Sequence, residues 1–222
     1  MFGLPEKTEL NKQLPKKAIY TKFSMNSAQK EKFDADISRI VIVNEISPAT
    51  VNIAAGKEVS SFYVLLLSLK RTDYNPKTIE LITKLIPQKM LLVLEYEGKA
   101  SLAVWRTKLI STDWQSLDSI NISISGLDLD AVWDNAIMQI GGITVAEGNT
   151  LDEQIAVNAE REKLLKEIER LEKKARAENQ PKKKFEMVQQ IKKLREKIND
   201  QTQNAHPEQS RRELSKTRRT FP

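Results

Sequence analysis

The stretch Met90–Ile110, MLLVLEYEGKASLAVWRTKLI, constrains the fold of this chain more than any other. Two apolar runs, Met90–Leu94 and Leu102–Trp105, flank Glu97-Gly98-Lys99. Branched and aromatic residues in the runs, with a glycine where the chain must reverse, are hairpin grammar. Met90–Leu94 is apolar at every position, which predicts a central strand covered on both faces. From Ser101 apolar and polar residues partly alternate, which predicts a strand with one wet face.

Before this hairpin, Pro5 and Pro15 limit any N-terminal helix to about Lys7–Gln13. Asn26 or Ser27 can cap a helix through Ile37, with Phe23 as a staple. Arg39–Ile46 reads as a strand ended by Ser47-Pro48, Thr50–Ala54 as an antiparallel return, and Ser60–Leu69 as a buried strand. Asn75-Pro76 opens a helix with an apolar stripe at Ile79, Ile82, Leu85 and Ile86, and Pro87 stops it. Strand, helix, strand is a crossover unit, so Ser60–Leu69 and Met90–Leu94 should run parallel. After the hairpin, Ile120–Ile124 alternates as a half-exposed strand. A helix should run from Asp128 or Asp130 through Ile140 and stop at Gly141-Gly142.

Leu151–Asp200 differs in kind: glycine disappears and Leu, Ile, Glu, Lys and Arg dominate. Val157, Leu164, Ile168, Leu171 and Ala175 mark one helical seam, and Met187, Ile191, Leu194 and Ile198 a second. Asn179 and Pro181 break the helix between them, so the arm should fold back as an antiparallel hairpin. Seams of about three heptads are weak alone and call for the globule, a second copy or a partner. The predicted class is therefore α+β, a mainly antiparallel mixed sheet with flanking helices over residues 1–148. An α-helical coiled-coil hairpin over 149–203 and a disordered basic tail over 204–222 complete it.

Charge follows the same division. Residues 1–150 hold 17 basic and 17 acidic side chains, so the net +6 comes entirely from the arm and tail. A basic extension on a neutral globule favours an acidic partner, either nucleic acid or an acidic protein face. The absence of cysteine excludes disulfides and thiolate chemistry and fits a cytoplasmic protein. The sequence shows no secretory signal and no apolar run long enough to span a bilayer, so no membrane partner is expected.

Few residues could carry chemistry. Glu97-x-Lys99, with Glu95 nearby, has the residue types of a Mg²⁺-dependent nuclease: carboxylates to hold the metal and a lysine to orient water. In restriction-type sites that motif lies on the third strand, before the second helix, and here it falls after that helix, at a hairpin tip. A solvated turn is the simpler reading. Asp128, Asp130 and Asp134 lie at a helix start, where capping and dipole compensation explain them better than a metal. His206, the single histidine, stands in the polar tail. No glycine-rich phosphate loop or nucleophile elbow occurs, and neither a cofactor nor a resident metal is expected. Contacts to a partner or to nucleic acid fall instead to Lys182, Lys183, Lys184, Lys192, Lys193, Arg211, Arg212, Arg218, Arg219 and Trp114. Trp105 and Trp133 read as core.

FGLPEKTELNKQLPKKAIYTKF, LLVLEYEGKASLAVWRTKLI and EGNTLDEQIA resemble an uncharacterised bacterial family, domain of unknown function 4391, up to about Lys193. These are family-wide textures and transfer no site residue. Members of that family often lie beside DNA methyltransferase and helicase components of restriction-modification-like defence loci. The resemblance thus implies a small accessory subunit of a DNA-processing complex; with the charge split, the two short seams and the missing catalytic constellation, the expectation is a non-enzymatic adaptor that docks on a helicase or methyltransferase. A divergent nuclease and a stand-alone nucleic-acid-binding protein are the alternatives, and a homodimer through the coiled coil is compatible with each.

Overall fold

The computed structural model describes residues 2–205, with side chains described to Asn199. His206, Arg211, Arg212, Arg218, Arg219 and the rest of the expected tail lie outside the described residues. The chain divides into one unit ending at Ile143 and another starting at Thr144.

In the first unit seven strands form one mixed sheet whose order follows the chain. β1 (Glu9–Gln13), β2 (Ile37–Ile46), β3 (Phe62–Leu69), β4 (Lys89–Tyr96), β5 (Lys99–Trp105) and β6 (Leu109–Ser111) lie side by side, and β7 (Gln115–Ser116) pairs with the start of β5. Every pairing is antiparallel except β3–β4, which runs from Phe62 opposite Lys89 to Ser68 opposite Glu95. The predicted crossover is therefore present, and α4 (Pro76–Thr83) makes it. Asn75 caps that helix by accepting from the Lys77 N–H, and Pro76 occupies the first turn, where an N–H would go unused.

Both faces of the sheet are covered. Ile40, Ile42, Leu65, Leu67, Leu92 and Leu94 join Ile19 of α1 (Lys16–Lys22), Phe33 of α2 (Ser27–Asp36) and Ile79 and Ile82 of α4 in one buried cluster. On the intervening positions Val64, Leu66, Leu91, Val93, Leu102 and Val104 are buried too. There α5 (Leu129–Gly141) packs on β5 and β6, and its Trp133 meets the Phe62 ring at 5.2 Å. Ala100 to Val104 is consequently buried at every position, so the wet face expected of this arm does not exist. Each fully buried Leu or Val contributes about 1.5–3 kcal/mol, so this sheet is the main stabilising feature.

Three segments depart from the sequence reading. Glu9–Gln13 is an edge strand after a short 3-10 turn at Glu6–Thr8, not a helix, and a helix begins instead at Lys16, directly after Pro15. Pro48–Val51 is a helical turn, α3, in place of the expected return strand. Thr50 accepts from the Ser47 N–H, and its hydroxyl also contacts the Glu45 carbonyl, which draws the chain into a cap. Ile120–Ile124 forms no strand, although Ile120 and Ile122 are buried; the Ile122 N–H donates to the Phe2 carbonyl.

In the second unit α6 (Leu151–Ala177) and α7 (Pro181–Ala205) are joined by Glu178–Gln180. Thr150 and Glu153 form a capping box at the start of α6. Gln154 accepts from the Ala146 N–H at 3.1 Å and from Asn149 at 3.2 Å, which ties the preceding loop to this helix. The division at Ile143 thus precedes the 148/149 boundary read from the sequence. Leu164, Ile168, Leu171, Ile191 and Ile198 are buried between the helices, with Leu194 packed against them. These are the predicted seams, with Val157 and Met187 half-buried at their ends. Helix α7 continues to Ala205, two residues beyond the hairpin end expected at 203.

Candidate functional site

At the β4–β5 tip, Tyr96 pairs with Lys99 across a two-residue loop in which Glu97 has φ 48° and Gly98 φ 75°. Two successive positive φ values define the tight reversal whose twist matches the flanking strands, and Gly98 meets that demand without strain. The Gly98 N–H donates to Glu95 Oε1 at 3.5 Å. The Tyr96 hydroxyl donates to Glu97, and this bond, with the nearby negative charge, pushes the phenol above its ordinary range. The Gly98 carbonyl accepts from the Leu117 N–H at 2.9 Å. Glu95 and Glu97 thus serve the local turn, and Lys99 extends into solvent. Among the described residues no three Asp, Glu or His side chains are grouped so as to hold a metal.

The aspartates on α5 are structural. Asp128 caps the helix through the Ala131 N–H at 2.9 Å. Asp130 reaches across to the loop before β3 and accepts from the N–H groups of Lys57 at 2.7 Å, Glu58 at 3.2 Å and Val59 at 2.8 Å. Partial desolvation pushes its carboxyl up, but the three N–H donors outweigh it and hold the group below the usual carboxylate range. A Cβ on Gly56 would collide with this carboxylate, so the clamp requires glycine there. Asp134 pairs with Arg106 at 3.0 Å.

Among the described residues the most buried carboxylate is Asp36, which sequence reasoning did not single out. It sits at the end of α2 and accepts from Arg71 Nε at 2.8 Å, the Asn75 N–H at 3.1 Å and Thr78 Oγ1 at 2.8 Å. It thereby fixes the entry to the crossover helix. The signal available was weak, an aspartate followed by the strand Ile37–Ile46, because its partners lie 35 to 42 residues away. A cleft of about 420 Å³ between Gly3, Pro5, Val51, Ile53 and Asn121–Ile124 has no titratable side chain in its lining. Trp114 is half-buried against the main core cluster, and Trp105 is half-buried at the end of β5.

The basic residues on the arm have a different setting. Lys182, Lys183 and Lys184 begin α7 and are exposed, as are Lys192 and Lys193. Among the described residues none of the five makes an ion pair with another side chain. Phe185, the next residue, is 63% exposed. The structure therefore gathers Lys182–Phe185 at the tip of a hairpin whose helix α6 is about 40 Å long at 1.5 Å per residue.

The model of one protein family, described as a domain of unknown function (DUF4391), matches residues 2–198. The chain belongs to the DUF4391 family. The match takes in the sheet, the Glu97–Lys99 reversal and nearly all of the helical hairpin, so both units are part of what defines a DUF4391 protein. No curated protein and no solved structure matches the chain. No helix among the described residues is long and apolar enough to cross a membrane.

Proposed function

We propose that this DUF4391 protein is a non-enzymatic accessory subunit of a bacterial DNA-processing complex of the restriction-modification or phage-defence kind. It docks on a larger partner of the helicase or methyltransferase class, and its basic arm extends toward that partner or its DNA. One observation carries the reading: cationic residues Lys182–Lys184 stand exposed at the tip of the helical hairpin with no ion pair among the described residues, whereas Asp36, Asp128 and Asp130 of the first unit are occupied as caps and clamps. An exposed cationic tip favours phosphate or carboxylate partners and adds little to folding.

The test is co-purification of the intact chain at its natural level, with mass-spectrometric identification of what it retains. A helicase or methyltransferase held in stoichiometric amount, and lost in the Lys182→Glu/Lys183→Glu/Lys184→Glu variant, is the expected result. Retention of neither class would end the proposal.

A further inference from the structure

From Lys173 to Glu186 the end of α6, the turn and the start of α7 hold six basic side chains and two acidic ones. Lys173 is paired with Glu169 at 2.8 Å. Lys174, Arg176, Lys182, Lys183 and Lys184 are exposed, and among the described residues none of them makes an ion pair. Of the two acids, Glu178 accepts from the Gln180 N–H at 2.9 Å, and Glu186 faces solvent. The chain itself leaves this cationic surface largely unneutralised.

Helix stability explains only part of the charge. Lys174 and Arg176 lie in the last turn of α6, where cations complement the helix dipole. Lys182–Lys184 lie in the first turn of α7, where cations oppose it, and no acidic residue stands there. The first turn of α6, by contrast, carries Asp152 and Glu153. Three lysines thus occupy positions that weaken their own helix.

Phe185 is a second, independent observation. It is 63% exposed. At roughly 100° per residue it lies on the side of α7 away from Ile191, Leu194 and Ile198. Lys182 and Gln189 are its neighbours on that face, three and four residues away, with about 5–6 Å between Cβ atoms. The Lys184 N–H donates to the Gln180 carbonyl at 3.0 Å, so ring and lysines sit on a formed helical turn.

These groups select an occupant. Lysine ammonium groups are compact point charges that suit phosphate oxygens, whereas the arginine fork is the better match to a carboxylate. Lysine is also depleted at protein–protein interfaces. A phenyl ring has no donor or acceptor to read a base edge, but its face stacks on the face of a base. That base face is covered in a duplex and open in a single strand. Two helices side by side, each about 10 Å across, are also wider than the major groove of about 12 Å.

We infer that the α6–α7 tip is a single-stranded nucleic-acid site, in which Phe185 stacks on one base and Lys182–Lys184 neutralise the phosphates beside it. The inference rests on the reading of the arm as a contact to DNA and adds the form of the strand. It is independent of which larger protein the chain serves.

Fluorescence anisotropy tests it, with the full chain and a labelled mixed-sequence DNA of about 12 nucleotides, single-stranded and as a duplex. The single strand should bind the tighter. Phe185→Ala should weaken it by about tenfold and leave the duplex unchanged. Phe185→Leu, which keeps apolar bulk without a ring face, should lose as much, and Phe185→Trp should retain full affinity. Lys182→Gln/Lys183→Gln/Lys184→Gln should lower the slope of log affinity against log salt by about two, with thermal stability at or above that of the parent. Equal affinity for the two forms overturns the inference. So does full single-strand affinity in Phe185→Ala, the result if the basic residues after 205 alone hold the strand, or in Phe185→Leu. Binding of neither form at low salt also overturns it, and loss of a co-purifying protein in Phe185→Ala would then assign the tip to an acidic protein face. That outcome leaves the adaptor reading standing, whereas a chain that binds single strands and retains no helicase or methyltransferase removes the adaptor reading alone.

Discussion

The β4–β5 hairpin and the α6–α7 hairpin reverse at Glu97-Gly98 and at Glu178–Gln180, and Glu97, Gly98, Asn179 and Gln180 all face solvent. The arms behind the two reversals differ. In the sheet, Leu91–Leu94 and Ala100–Val104 are buried without exception between helices on both faces. In the helical hairpin one stripe per helix is buried, and Leu165, Phe185 and Val188 remain outside. A charged tip on a fully covered hairpin has done its work once the chain has turned. A charged tip beside uncovered apolar side chains still has surface to satisfy, and that surface belongs to the second hairpin.

The contrast can be broken most directly by truncating each core. Leu92→Ala should cost about 3 kcal/mol, read as a lower urea midpoint. Leu171→Ala, in a seam with only one neighbouring helix, should cost about 1–2 kcal/mol. Equal costs would show that the arm is as deeply packed as the sheet.

Next in size is Asp36→Ala, which strands Thr78 Oγ1, the Asn75 N–H and Arg71. A loss of about 2–3 kcal/mol is expected, measured by the same denaturation. The clamp at Asp130 gives a pH signature. Its carboxyl is held below the unfolded value of 3.8, so its contribution is fully present above that value and is lost as pH falls through the lower folded value. Protection of the Lys57–Val59 amides from exchange, relative to the intrinsic rate at each pH, should therefore fall only below about pH 4, and Asp130→Ala should already lack that protection at neutral pH.

Smaller still for stability is Lys182→Glu/Lys183→Glu/Lys184→Glu, expected within about 0.5 kcal/mol of the parent. If the tip meets phosphates, the salt dependence of duplex binding should flatten by up to about three units. The smallest effect belongs to Glu97→Ala and Lys99→Ala, which should leave folding and any DNA cleavage unchanged. Mg²⁺-dependent cleavage abolished in both would return the β-hairpin tip to the center of the function.

Where one local interaction decides a segment, the sequence was sufficient. Asn75 caps the helix it was expected to cap, Asn26 and Asp128 cap theirs as one of two candidates each, and Gly142 ends α5 with φ 56°. The crossover and the arm seams followed from apolar periodicity alone. The misreadings came from segments whose neighbours decide for them. All residues of Glu9–Gln13 are exposed, so no pattern marks that edge strand, which exists because β2 offers a free side. Ile120–Ile124 alternates like a strand but finds Phe2 instead of a ladder. The same limit applies to the sites: Asp36 and Asp130 act on partners far along the chain.

Because the order of the sheet follows the order of the chain from β1 to β6, each strand can dock on the one preceding it, even across the parallel step. The sheet can therefore grow stepwise during synthesis with little search through alternative pairings. The contacts that close the unit come late: Ile122 returns to Phe2, and Asp130 to Lys57–Val59. A nascent chain that has emerged from the ribosome only as far as residue 120 would carry an assembled sheet whose second face still awaits α5.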